Sequence, residues 1–209
     1  MALEPPEFFP YSADLTAGSL KIAESRVVAD LLLRGTESEG WKRAMLLENK
    51  LQSRTPATAK RLVRLIRNRL ETMTPRLWML IRDGHQIVAT HACLAATIKQ
   101  NRLVADFFEL VLREQYRQFA VVLNRYLWND FIDDCLIRHS VSVSTGRPVW
   151  TESTIRRMRS SMFQILEQAG YIENTKTLRL QNVHIAGEVV HYLQEHDESE
   201  VLRRIQLIS

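Results

Sequence analysis

Apolar residues return at intervals of three and four along almost all of this 209-residue chain, a spacing that admits few architectures other than packed helices. Only seven glycines and six prolines punctuate it. After a proline-rich arm, a first helix is expected over 20–33, closed by Gly35, and a second from Gly40 or Trp41 to Leu51. Thr55 followed by Pro56 reads as an N-cap and first helical position. It opens a third helix over 55–70 that carries Leu62, Val63, Ile66 and Leu70 at helical spacing. Thr74-Pro75 opens a short helix with Leu77, Trp78, Leu80 and Ile81, which stops at Asp83-Gly84. Residues 87–98 are so apolar and Ala-rich that they belong at the centre of a bundle. The pattern over 103–137 exceeds the usual helix length and is expected to break near Gln118 or Phe119.

Residues 140–150 change character, being polar and β-leaning with Gly146 and Pro148, and mark a lobe boundary. The expected organisation is therefore a mainly α protein, a helical bundle over 1–140 followed by a smaller lobe over 141–209. That lobe opens with Thr151-Glu152-Ser153-Thr154 as a cap. A helix follows with Ile155, Met158, Met162, Ile165, Leu166 and Ala169 on one face, stopped by Gly170. Tyr171-Ile172-Glu173 and Leu178-Arg179-Leu180 alternate around 174–177 and read as one short β-hairpin, and two acidic-flanked helices over 186–195 and 198–208 end the chain. A helix followed by a tight hairpin resembles the recognition helix and wing of winged helix-turn-helix domains. Opposite the apolar stripe lie Arg157, Ser160, Ser161 and Gln164, with Arg156 at the margin and Lys176 and Arg179 on the wing. These are donors suited to phosphates and base edges. The same order of elements also occurs in modules that bind only protein.

Charge is distributed unevenly. Lys50, Arg54, Lys60, Arg61, Arg64, Arg67 and Arg69 occur with no acid until Glu71, so a chain of net +4 is net −3 elsewhere. At about 100° per residue, Lys60, Arg61, Arg64 and Arg67 share roughly a third of the helix circumference, opposite Leu62, Ile66 and Leu70. Such a face is either merely solvated or meets an anionic partner. The absence of acids points to phosphates, with Arg54 at the leading end. Arg69 projects instead between Leu62 and Leu65 and is expected to be a structural ion-pair partner of a buried acid.

Other chemistry is not indicated. Cys93 and Cys135 lie within helical patterns without metal-like neighbours and read as free buried thiols in a reducing cytosol. His85 and His91 are six apart, and His191 and His196 five, neither of which puts two ligands on one helix face. Glu188 and His191 form a single i, i+3 pair where a di-metal bundle needs two. Asp130, Asp133 and Asp134 read as a solvated face. There is no phosphate loop, nucleophile elbow or zinc spacing, so no enzyme, catalytic residue, metal or cofactor is expected. The first residues lack the features of a secretory signal, and apolar runs such as Leu31-Leu32-Leu33 fall far short of the roughly 20 residues a membrane helix needs. A cytoplasmic protein with no membrane partner is expected.

Tyr11, Gly18-Ser19-Leu20, Glu24-Ser25, Asn49-Lys50-Leu51-Gln52 with Arg54, Thr58-Ala59-Lys60-Arg61, Arg69-Leu70, Trp78, Asp106-Phe107 and Ala169-Gly170-Tyr171-Ile172 together resemble the BrxA family. These are the small helical proteins of BREX (bacteriophage exclusion) defence systems, and the resemblance covers most of the chain. It implies a mainly helical, NusB-like fold, an ability to bind DNA, other BREX proteins as partners, and no catalytic residues to carry over. Binding would map most naturally to 54–67. The family has also been labelled as inner-membrane proteins, which the short apolar runs oppose. Two readings follow. One is a non-catalytic, sequence-tolerant component that binds double-stranded DNA, with RNA as the alternative, through Lys60, Arg61, Arg64 and Arg67. The other is an adaptor whose basic helix docks on an acidic partner subunit.

Overall fold

Helix ends fall where local groups can take up the free backbone donors and acceptors. The computed structural model describes residues 10–138 and 150–207. In it a 3-10 turn, Ala13–Ala17, precedes α1 (Ile22–Leu33). Gly35, at φ +60°, lets its own N–H and that of Thr36 reach back to the carbonyls of Leu32 and Leu31, which closes α1. α2 (Ser38–Lys42) runs on as a π-helical turn, Arg43–Leu47. α3 (Pro56–Leu70) starts on Thr55, whose Oγ1 accepts from the Thr58 N–H at 3.1 Å. α4 (Pro75–Asp83) again has proline at its first position, and α5 (Gln86–Gln100) follows. α6 (Arg102–Asp106), capped by Asn101, passes through a π-helical stretch, Phe107–Leu112, into α7 (Arg113–Arg117). α8 (Leu127–Arg138), α9 (Glu152–Gln168), α10 (Gly187–Glu195) and α11 (Ser199–Ile205) complete the described helices.

α5 is the axis of the packing. Every residue from Val88 to Ile98 is buried, and α1, α3, α4, α6, α10 and α11 all pack on it. The small residues Ala89, Ala92, Ala95 and Ala96 leave room for so many neighbours to approach. The apolar core is continuous from Tyr11 and Leu15 to Val201 and Ile205, so residues on both sides of the expected lobe boundary share it. The boundary itself, at 140–141, lies outside the described residues.

The long pattern over 103–137 breaks after Gln118, where Phe119 takes φ +53°. The π-helical stretch turns Phe107, Phe108 and Leu112 all inward. There Phe107 meets Trp128 and Phe131 of α8 at ring-centroid distances of 5.5 and 5.4 Å. The expected hairpin over 171–180 doubles back through isolated bridges and not through strands. Ile172 pairs with Leu180, and Arg179 pairs with Val122 from the turn between α7 and α8. Among the described residues the chain is thus mainly helical with almost no strand, and no helix is long and apolar enough to cross a membrane.

Candidate nucleic-acid interface

α3 is held by one side. Ala59, Leu62, Leu65, Ile66 and Leu70 are buried, whereas Lys60, Arg61 and Arg64 are exposed on the other side and Arg54 is exposed just before the cap. Among the described residues, none of these four cations has a carboxylate within ion-pair distance. Arg67 shares the face but is engaged. Its Nε and Nη2 donate to Glu71 Oε1 at 2.9 and 2.6 Å, and its guanidinium lies 4.8 Å from the centroid of a Trp41 ring. Lys50 sits 3.2 Å from Glu48. Within this stretch the uncompensated charge is therefore concentrated in Arg54, Lys60, Arg61 and Arg64. Beside it, between α3 and the π-helical turn after α2, lies a cleft of about 450 Å³ lined by Trp41, Met45, Leu46 and Val63 together with Lys60 and Arg64.

Arg69 corrects one expectation. It is buried, as its place among the leucines requires, but among the described residues no acid receives it. Nη1 donates to the Ser19 carbonyl at 2.7 Å and Nη2 to the Gly18 carbonyl at 3.3 Å, while Nε has no partner. Two backbone carbonyls supply negative potential without the larger cost of burying a carboxylate. Burial pushes the Arg69 pKa down to about 10, which leaves it charged at neutral pH. The same short segment is gripped from the opposite end of the sequence, where Gln168 Oε1 accepts from the Leu20 N–H at 3.1 Å. The stretch 18–20 therefore ties α3 to the end of α9.

On α9, Arg156, Arg157 and Gln164 are exposed, as is Lys176 in the following turn. Arg156 reaches Glu152 at 3.9 Å, an exposed pair of little energetic consequence. Ser161 does not lie with them. It is buried, because three residues after Met158 and four before Ile165 it falls within the apolar stripe. Ser160 donates to the Arg156 carbonyl at 3.1 Å, and Phe163 widens the buried face. Lys176 is placed by a tight turn in which Asn174 Oδ1 accepts from the N–H groups of Lys176 and Thr177, both at 2.9 Å. Arg125 holds that turn, donating from Nη2 to the Thr175 and Lys176 carbonyls at 2.6 and 3.2 Å. Nothing in the sequence marks Arg125, since its partners lie about fifty positions away.

His91 and His191 have partners within the chain. His91 Nδ1 accepts from the Ala186 N–H at 3.0 Å, and burial holds its pKa below the usual 6.5. His191 Nε2 approaches Glu195 at 3.0 Å. Cys93 and Cys135 are buried and free, and burial pushes the Cys93 thiol up to about 11. Among the described residues no three His, Cys, Asp or Glu side chains gather as a metal site.

The BrxA family model matches residues 9–197. The BREX protein BrxA of Paramagnetospirillum magneticum is 45% identical over 197 residues, covering 94% of this chain and 96% of its own. The BREX protein BrxA of Escherichia coli O9:H4 (strain HS) is 31% identical over 189 residues, covering 90% and 86%. The crystal structure of an uncharacterized protein from Magnetospirillum magneticum superposes with a TM-score of 0.85 at 43% identity, over 95% of this chain and 99% of that one. With a family match spanning nearly its whole length and close relatives of equal extent, this chain belongs to the BrxA family.

Proposed function

We propose that this BrxA protein is a non-catalytic, cytoplasmic, DNA-binding component of a BREX anti-phage system, working alongside other BREX proteins and contacting the phosphate backbone through α3. The observation that carries this reading is the cluster of Arg54, Lys60, Arg61 and Arg64, exposed and, among the described residues, without a carboxylate in ion-pair distance, on and just before a helix whose opposite side is anchored in the core. Arg67 belongs to the same face once a phosphate displaces Glu71. The helical bundle is read as NusB-like, and α9 with the turn at 174–177 as a winged-helix-like unit. In that unit Arg156, Arg157, Gln164 and Lys176 form a second, weaker contact. Four phosphate contacts give a log–log salt slope of about −3.6 on duplex DNA, hence roughly a hundredfold loss of affinity between 50 and 200 mM salt. Anisotropy titration of equal-length duplex DNA, single-stranded DNA and RNA at two salt concentrations tests this directly. Binding to duplex with that salt dependence is the expected result.

The adaptor reading has one observation in its favour. The cleft beside α3 is lined by Trp41, Met45, Leu46 and Val63, and apolar groups contribute nothing to phosphate binding. Duplex affinity that is absent at 50 mM salt transfers the basic face to an acidic protein partner.

A further inference from the structure

The turn between α7 and α8 exposes apolar surface on a free edge. Residues 119–123 read Phe-Ala-Val-Val-Leu with no charge among them, and Phe119, Val121 and Val122 are 89%, 66% and 51% exposed. Leu180 N–H donates to the Val121 carbonyl and Leu123 N–H to the Leu178 carbonyl, both at 2.9 Å, so Val122 sits opposite Arg179 in an antiparallel bridge. In that pattern the N–H and C=O of Val122 are directed away from the paired stretch, and among the described residues neither has a partner. Natural proteins guard such edges with charges, prolines or covering elements, because an open apolar edge is a template for another chain.

The surroundings of the edge are basic. Arg117, Arg125, Lys176 and Arg179 are all exposed around it. Arg125 is fixed by two carbonyls and, among the described residues, not neutralised by an acid, and Arg117 has Glu114 only at 4.0 Å. From this we propose that the edge at Val122 receives an extended segment of a partner protein, apolar in its middle and acidic at both ends, added by main-chain hydrogen bonding. A second copy of this chain fits poorly, since it would bring two sets of these four cations into one interface. Nucleic acid fits poorly too, since Val121 and Val122 offer phosphates nothing. The surface uses none of the α3 cations and stands independently of the α3 phosphate contact, sharing only Lys176 with the secondary DNA contact proposed above.

The test uses the full-length protein and a fluorescein-labelled peptide, Asp-Glu-Val-Thr-Val-Thr-Val-Glu-Asp. Two controls accompany it, one with lysines replacing the acids and one N-methylated on its central residues. The acidic peptide should bind at least about tenfold more tightly than either control. Val122→Pro removes the open N–H without removing an internal hydrogen bond. It should weaken peptide binding at least about tenfold with an unchanged melting curve, and Val122→Glu, which repels the acidic ends, should do the same if the proline variant fails to fold. No binding at about 1 mM peptide, or equal binding of all three peptides, overturns the proposal. So does a concentration-dependent dimer in sedimentation that Val122→Glu dissolves, which would assign the edge to a second copy. Loss of duplex binding in a folded Val122→Pro variant would likewise assign it to nucleic acid.

Discussion

Arg69 and His91 show how single buried polar residues join distant parts of this chain. Removing the Arg69 side chain leaves the Gly18 and Ser19 carbonyls short of donors, at a cost of about 1–3 kcal/mol for the buried groups left unmet. Arg69→Ala should therefore lower the urea midpoint without changing DNA affinity per folded molecule, and an unchanged midpoint would show that water replaces the guanidinium at no cost. His91 makes stability depend on acid. Its folded pKa lies below the 6.5 of the unfolded chain, so the unfolded state binds the proton more readily. The stabilisation is present above pH 6.5 and lost as pH falls through the folded value, with a slope of at most about 1.4 kcal/mol per pH unit. Chemical denaturation between pH 7.5 and 5 should show that decline in the wild type and a flatter profile in His91→Gln. Parallel profiles would assign the decline to other groups.

At the scale of elements, the proposed secondary contact on α9 and the turn after it is open to a single substitution. If Arg157 reads base edges, Arg157→Ala reduces the difference between a preferred and a scrambled duplex by about 1–3 kcal/mol; if it touches phosphate only, both weaken alike. Competition titrations with the two duplexes distinguish these outcomes, and no change with either removes Arg157 from the interface. The start of α9, like that of α3, was legible because a threonine cap is a local device. The closures of α1 and α9 were legible as well, since Gly35 and Gly170 sit at the required positive φ. Elements that depend on distant partners were not. The bridge between Val122 and Arg179 joins residues far apart in sequence, so 121–123 read only as part of an interrupted helix. The two π-helical stretches have no local signature either, because the widened turn is selected by the core that Phe107, Phe108 and Leu112 fill. The same limit explains Arg69. Its burial followed from periodicity, but its carbonyl partners, about fifty positions away, did not.

For the whole molecule, the division of labour follows from where charge is left uncompensated. Many surface cations are paired with acids nearby, as Arg203 is with Glu109 and Glu200 and Arg34 with Asp30, and such pairs contribute little to stability or to binding anions. The α3 face departs from this pattern while its helix is packed on α1 and α5, which gives a rigid platform on a chain whose remainder is acidic. The measurement that tests this most directly is the salt dependence of duplex binding by wild type and by a Lys60→Gln, Arg61→Gln, Arg64→Gln variant, with folding checked by thermal melting. Each lost phosphate contact flattens the log–log slope by about 0.9, so the variant should bind more weakly with a slope shallower by about 2.7. A folded variant with the wild-type slope and affinity would contradict the assignment of α3 as the DNA-binding face.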